Sequence, residues 1–206
     1  MITFAIVPVK ELDKAKSRLS EHLKPEIRKG LLLAMLGDVL GALKFLPTIV
    51  ISPKDMMSYL KDSGTFFLLQ EGSRDLDTAV KQANAFAVEK GAGATLFVPA
   101  DMPLITKKEI DDVLRIGTKH KVVITQARDG GTGILYRRPP DVMESRFSNH
   151  SFRDHRTESE KRGLNMYVHE SFPLSLDIDT VDDVSHFMEH GKGTKTYEYL
   201  RKAGVR

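Results

Sequence analysis

The sequence predicts a single three-layer α/β/α sandwich on a mostly parallel sheet, and three observations carry that expectation. Short apolar, β-branched runs recur without strict polar alternation, as strands buried on both faces do. Helical patterns lie between them, which implies right-handed strand-helix-strand crossovers. The chain has 206 residues, enough for one full-sized domain that buries roughly 70% of its unfolded surface.

The first strand is TFAIVPV (3–9), and it feeds a charged loop, VKELDKAKSRL. A helix over 25–45 opens with Pro25 near its first turn and carries Ile27, Leu31, Met35 and Val39 at steps of four, with Leu32, Leu36 and Leu43 alongside. TIVIS (48–52) and FFLL (66–69) are the next strands, and the helix over 75–90 is closed by Gly91. ATLFVPA (94–100) is followed by Thr106 and Glu109, a capping box for a helix over 107–117. VVITQA (122–127) is the fifth apolar run.

Residues 128–173 break the rhythm. RDGGTGILYRRPP gives a glycine turn and a strand, and SFRDHRTESEKRG a polar helix, so the segment reads as an excursion at the sheet margin that supplies part of a site. The extended stretch PLSLDIDT follows. Thr180 with Asp183 opens a helix over 181–190, and GKGTKTYEYLRKAGVR ends the chain as a short helix.

Composition narrows the function. Hydrophobic residues make up 41% and charged residues 29%, close to globular averages. MITFAIVPV lacks the basic leader of a signal peptide, and no run approaches the ~18 apolar residues of a membrane helix; a cytoplasmic protein is expected. With no cysteine, any metal must use oxygen or imidazole ligands, which favours a hard cation. Thirty-one basic residues against 28 acidic ones leave a net charge of +3, unlike the concentrated basic face of a nucleic-acid binder. A small anion needs only a local patch. No HExxH, GxGxxG, P-loop or GxSxG motif is present, and His150 and His155 form no metal pattern.

In open α/β sheets ligands bind beyond the carboxyl ends of the strands. That rule selects Lys10 after the first strand, Asp101 after 94–98, the turn Asp129-Gly130-Gly131-Thr132 after 122–126, and Asp177 and Asp179 from the late segment. Pro103 stops the strand beyond Asp101. Asp177 and Asp179 flank Ile178, so in extended backbone both point the same way. Each of these aspartates also suits a turn or cap. Two carboxylates from distant strand ends are the minimum for an octahedral magnesium ion that also binds substrate phosphates. Lys16-Ser17-Arg18 offers a point charge, a hydroxyl and a planar fork suited to phosphate, against the alternative of a solvated charged face. The glycine turn allows backbone amides to approach an anion, or is a tight turn only.

Taken in order over residues 3 to about 187, PVKELDKAKSRLS, VPADMPLI, GGTGILYRRPP, FSNHSFRDH and LDIDTVDDV resemble the 2-phospho-L-lactate guanylyltransferase family of coenzyme F-420 biosynthesis. The resemblance implies a nucleotide-diphospho-sugar transferase-like fold and a reaction of GTP with 2-phospho-L-lactate, giving lactyl-2-diphospho-5'-guanosine and pyrophosphate with Mg2+ as cofactor. Some relatives use phosphoenolpyruvate or another three-carbon phosphorylated acid. By the same resemblance Val7, Pro8, Lys10, Lys16, Arg18 and Asp77 contact the nucleotide, and Lys16, Arg18 and Asp101 act in catalysis. Asp101 and Asp179 would bind the metal, and Thr132, Ser148 and Ser151 the acceptor.

The chain departs from the family pattern at Asp75-Leu76-Asp77, where Gly-Leu-Asn is common, at Ser148, where glycine is common, and at Gly133, where asparagine is common. Two other readings stand beside this one. They are a nucleotidyltransferase of molybdenum-cofactor or sugar-nucleotide type, and a non-catalytic nucleotide-binding module. A homodimer is expected through aromatic surface at Tyr136, Phe147 and Phe152, and Lys14 is expected to face solvent.

Overall fold

The structure, a computed structural model, describes residues 1–12, 16–54, 56–60 and 65–205; Lys14 lies outside them. The strands among the described residues are β1 (Thr3–Pro8), β2 (Thr48–Ser52), β3 (Phe66–Leu69), β4 (Ala94–Phe97), β5 (Val122–Gln126), β6 (Thr132–Arg137) and β7 (Met166–Val168). The helices are α1 (Pro25–Leu43), α2 (Met57–Leu60), α3 (Leu76–Glu89), α4 (Lys107–Gly117), α5 (Ser151–Lys161), α6 (Val181–His190) and α7 (Lys195–Lys202). The strands form one sheet in the order β3-β2-β1-β4-β6-β5-β7. All run parallel except β6, which is antiparallel to both β4 and β5.

Side chains alternate between two faces, as the two-residue period of a strand requires. Ala5 and Val7 of β1 join Val50 and Val123 against Leu31, Met35 and Val39 of α1, with Ile110 of α4, Phe187 of α6 and Leu200 of α7 on the same side. Phe4, Ile6, Ile49 and Ile51 face Ala79, Ala83 and Ala87 of α3. Val80 of α3 and Phe152 of α5 cover Phe97, Ile124 and Leu135. Helices therefore cover both faces, the expected three layers. The capping boxes at Thr106/Glu109 and Thr180/Asp183 both form. No helix among the described residues is long and apolar enough to cross a membrane.

Three expectations change. The strand TGILYR of the 128–173 excursion is not at the sheet margin, because β6 lies between β4 and β5, and within the excursion it is β7 that reaches an edge. Ile134, Leu135 and Tyr136 are all buried, and a run that is apolar on both faces needs strands on both sides. The connection from β5 to β6, residues 127–131, is far too short for a parallel crossover and forces a hairpin.

Residues 174–179 do not join the sheet. The segment is held through the Thr125 hydroxyl donating to Leu174 O (2.9 Å), Arg128 N–H to Ser175 O (3.0 Å) and Ile178 N–H to Asp101 O (3.1 Å). Finally, of the aromatics expected to form a dimer surface, Tyr136 is internal and Phe147 and Phe152 are half-buried. Tyr136 is 1% exposed, Phe147 lies against Phe97 at 4.3 Å between centroids, and Phe152 packs on the α5-side core.

This topology sets where the site lies. The chain passes from β1 to β2 and β3 on one side and returns to β4 on the other, so a crevice opens beyond the carboxyl ends of β1 and β4. Because β6 is antiparallel, its amino end, Thr132, reaches the same rim.

Candidate active site

Beyond β1, Val9 N–H still donates to Ile51 O (2.8 Å), and the chain then turns out of the sheet through Lys10 and Glu11. Lys16 adopts the left-handed conformation, φ 52° and ψ 47°, which a side chain bearing Cβ holds only when its surroundings require it. Its ammonium donates to Asp101 Oδ2 (2.6 Å) and Asp179 Oδ1 (2.7 Å). Burial works to lower the Lys16 pKa, but the two carboxylates outweigh it and the net shift is upward. Burial likewise opposes ionisation of Asp179, and Lys16, with Arg18 and Lys10 behind it, draws that carboxyl below its usual range.

Among the described residues, Asp177 has no such partner. Burial first, then the charges of Asp101, Asp129 and Asp179, push it up to about 7. Oxygens of Asp101, Asp177 and Asp179 lie within 4.8 Å of one another. Ile178 between them is fully buried, so the expected same-side placement of Asp177 and Asp179 holds without a strand. Three clustered carboxylates suit a hard divalent cation in donor type and charge. The Lys16 ammonium is the group that now bridges two of them.

Arg18 is 65% exposed at its side chain, with Nη1 3.7 Å from Asp179 Oδ2. It lines a cavity of about 230 Å3 together with Arg128, Asp129, Asp177 and Asp179. On the other side of the β1 exit, Pro8, Val9, Lys10, Glu11, Arg74 and Leu76 line a second cavity of about 210 Å3. Val7 is fully buried in the core facing α1 and brings no side chain to either. Asp77 accepts the Phe147 N–H at 3.0 and 3.1 Å, tying α3 to the 144–150 loop, while its neighbours Asp75 and Leu76 face the second cavity.

At the rim of β6, Asp129 Oδ1 accepts Gly131 N–H (2.8 Å), and Gly130 takes φ +88°, open to glycine without strain. Thr132 Oγ1 lies 3.0 Å from His155 Nδ1. His155 Nε2 accepts Arg146 N–H (2.8 Å), so the imidazole proton resides on Nδ1 and is offered to Thr132. The threonine hydroxyl then accepts, leaving its own proton for another oxygen. Burial, with Arg137 adding to it, lowers the His155 pKa to about 4, so the ring is neutral at neutral pH. Ser151 is buried at the start of α5. Ser148 is exposed, donates to Asp154 Oδ2 and accepts His150 N–H (3.0 Å).

The arrangement is a row along the rim, with a partly apolar cavity beside β1, β2 and β3, a cationic and carboxylate crevice over β1 and β4, and hydroxyls and amides over β6. Such a row suits a nucleotide and a second phosphorylated molecule. A profile described as "Guanylyl transferase CofC like" matches residues 3–206. The chain belongs to the CofC-like guanylyl transferase family.

Among family relatives, the 2-phospho-L-lactate guanylyltransferase of Methanothermobacter thermautotrophicus is 40% identical over 205 residues, covering 98% of this chain and 91% of its own. That of Methanocaldococcus jannaschii is 36% identical over 201 residues, covering 97% and 88%. In fold, a nucleotide-diphospho-sugar transferase candidate from Desulfovibrio desulfuricans G20 superposes with a TM-score of 0.83 at 21% identity, over 99% of this chain and 96% of that one. A cytidylyltransferase from Leptospira borgpetersenii gives 0.61 at 13% identity, over 99% and 95%. The nucleotide-diphospho-sugar transferase-like fold is thus the observed one.

This CofC-like chain brings together Lys10, Lys16, Arg18, Asp101 and Asp179, and separately Thr132 with the α5 start. Four residues near these groups were not singled out from the sequence as site residues: Glu11, Arg74, Arg128 and His155. Arg128 directly precedes the glycine turn, and His155 is one helical turn after Ser151, so both had a local signal. Glu11 and Arg74 pair across 63 positions and had none.

Proposed function

We propose that the protein transfers the guanylyl group of GTP to 2-phospho-L-lactate, giving lactyl-2-diphospho-5'-guanosine and pyrophosphate in coenzyme F-420 biosynthesis. The observation that carries this reading is the convergence of Lys16 with Asp101 and Asp179 at the crevice of a CofC-like fold, with Arg18 alongside.

In the reaction an acceptor phosphate oxygen bonds to the α-phosphorus of GTP. The α–β bridging P–O bond breaks, and its electron pair leaves with pyrophosphate. The second pKa of a phosphate ester is near ~6, so the attacking oxygen is already anionic and needs no base. This agrees with a neutral His155, held as a donor to Thr132. What the chain must supply is placement and relief of repulsion between two polyanions. Lys16 and Arg18 would neutralise the departing pyrophosphate, with Lys10 in support and Arg128 facing the acceptor side. Thr132, Ser151 and Ser148 would hold the acceptor, the Gly131 amide being already taken by Asp129 Oδ1.

Asp101 and Asp179, with Asp177 beside them, would hold a magnesium ion, whose chemistry when bound is neutralisation of phosphate oxygens. Homodimer formation and a cytoplasmic location belong to the same reading, and light scattering and cell fractionation check them.

Pyrophosphate release from GTP, CTP, ATP and UTP, each with phospholactate, phosphoenolpyruvate and a sugar acid, tests the proposal. GTP with phospholactate should turn over fastest. Faster release from CTP with a sugar acid would place the enzyme among the other nucleotidyltransferases.

A further inference from the structure

We infer that Glu11 and Arg74 form the base-reading pair of the enzyme, selecting guanine through its O6, N1–H and N2–H edge. This deepens the proposed function and rests on its claim that the nucleotide is GTP. The pair sits in the cavity beside β1, β2 and β3, where Pro8, Val9, Pro53, Leu76 and Ala79 provide apolar walls. Its volume, about 210 Å3, lies below the ~300–1,000 Å3 of sites that hold a whole small molecule. It suits the flat base of a nucleotide whose phosphates lie outside. Lys10 borders the cavity and begins the cationic loop that reaches Lys16 and Arg18, so a base seated here leads its triphosphate over β1 towards Asp101.

Inside this apolar frame stands one buried carboxylate. Glu11 is 8% exposed, and burying a charge is costly unless it is paired and used. Arg74 pairs with its Oε1, and Lys54 Nζ lies 3.8 Å from Oε2. Arg74 is itself 64% exposed at its side chain, so the guanidinium can shift at modest cost. A cation beside a carboxylate presents donors and then acceptors along one line. Guanine presents the complement, an acceptor at O6 followed by donors at N1 and N2. Adenine and cytosine present a donor followed by an acceptor, which sets their amino group against Arg74 and their ring nitrogen against Glu11. Uracil offers O4 and N3–H but places a second acceptor, O2, against the carboxylate. The nearby Gln70 amide does not supply this pattern, because it donates to Ser73 O (2.8 Å) and Asp75 O (3.0 Å).

The test is equilibrium binding of GTP, inosine triphosphate and ATP to the full chain, without acceptor, for wild type, Glu11→Gln and Arg74→Gln. Inosine triphosphate keeps O6 and N1–H and lacks the 2-amino group. Wild type should favour GTP over inosine triphosphate by about 10-fold, and Glu11→Gln should weaken GTP by about 10- to 100-fold while bringing the two nucleotides to near parity. Arg74→Gln should weaken both alike, since both carry O6, and should narrow the margin over ATP.

Equal losses for all three nucleotides in Glu11→Gln would mark a structural role and overturn the assignment. If Glu11→Gln does not fold, wild type decides, and equal affinity for GTP and inosine triphosphate overturns it. Pyrophosphate release from GTP and phospholactate with an unchanged nucleotide ratio in Glu11→Gln sinks the base assignment alone. Guanine selectivity that Glu11→Gln removes, without any pyrophosphate release, sinks the proposed reaction alone.

Discussion

Lys16 and Asp101, 85 positions apart in the chain, meet at 2.6 Å across the crevice, and the same ammonium reaches Asp179 at 2.7 Å. One cation thus joins the β1 exit, the β4 exit and the 174–179 segment, and it does so from a left-handed backbone position. Holding that conformation costs on the order of 1–3 kcal/mol, so the two ion pairs must more than offset it.

Lys16→Met removes the shared cation and leaves Asp101, Asp177 and Asp179 facing one another. Breaking a fully buried pair costs ~3–5 kcal/mol. Here Asp101 and Asp179 are 27% and 35% exposed, and a loss of about 2 kcal/mol is expected. Turnover should fall by at least ~100-fold, as when one preorganised electrostatic donor is removed. Urea midpoints and pyrophosphate release read the two effects; a variant of wild-type stability and rate would remove Lys16 from the site.

Arg18 should separate from Lys16 by leaving stability alone. Its side chain is mostly exposed and 3.7 Å from Asp179, and exposed pairs contribute ~0–1 kcal/mol. Arg18→Gln is expected to lower kcat about 10- to 100-fold with an unchanged melting temperature. Arg156, which pairs with Glu160 on the exposed face of α5, is the control, and Arg156→Gln should do neither. Equal small losses from both would return the β1 loop to an ordinary charged surface.

The degree to which this site was legible follows from how far apart its parts lie. Signals carried within a few residues were readable, such as the capping boxes at Thr106 and Thr180, the alternation of Asp177, Ile178 and Asp179, and the apolar runs of β1 to β5. The position of β6 was not, because its run specifies that both faces are covered and not which strands cover them. Placing that excursion at the margin also turned Tyr136 and Phe147 into apparent surface, although one is a core residue and the other stacks on Phe97. The Glu11–Arg74 pair depends on β1 and the approach to α3 meeting at one rim, which only the assembled sheet supplies.

His155 gives the fold a pH dependence whose sign is fixed by its environment. Its folded pKa is lowered from 6.5 to about 4, chiefly by burial and then by Arg137. Above pH 6.5 neither state binds the proton. Between 6.5 and 4 the unfolded chain binds it first, so stability falls as pH falls, by up to about 3 kcal/mol. Asp177, pushed up to about 7, works in the opposite sense over the same window, so His155→Gln should remove the fall and let the urea midpoint rise as pH drops from 6.5 to 4. Loss of the donor to Thr132 should also raise the acceptor KM several-fold while leaving that for GTP. Parallel midpoint curves for the two proteins would show that His155 is not the titrating group.

Gly133 tests whether the 174–179 segment must lie where it does. A Cβ at this position would stand 2.2 Å from Leu174 O and 2.5 Å from Thr125 Oγ1, the two atoms whose hydrogen bond ties the segment to β5. Backbone cannot yield by a side-chain rotation, so Gly133→Ala must displace the strap that carries Asp177 and Asp179, or disturb Thr125, which also accepts Ile134 N–H at 2.8 Å. Overpacking of this kind costs about 1–3 kcal/mol, and the carboxylates should move with the strap, lowering kcat more than stability alone explains. Gly41 in α1 is the counterpart. A Cβ there meets nothing within 4 Å, and Gly41→Ala should raise stability by up to ~1 kcal/mol through helix propensity with no change in turnover. If Gly133→Ala kept full activity, the carboxylate cluster would not depend on the β5 tether, and the role assigned to Thr125 would fail with it.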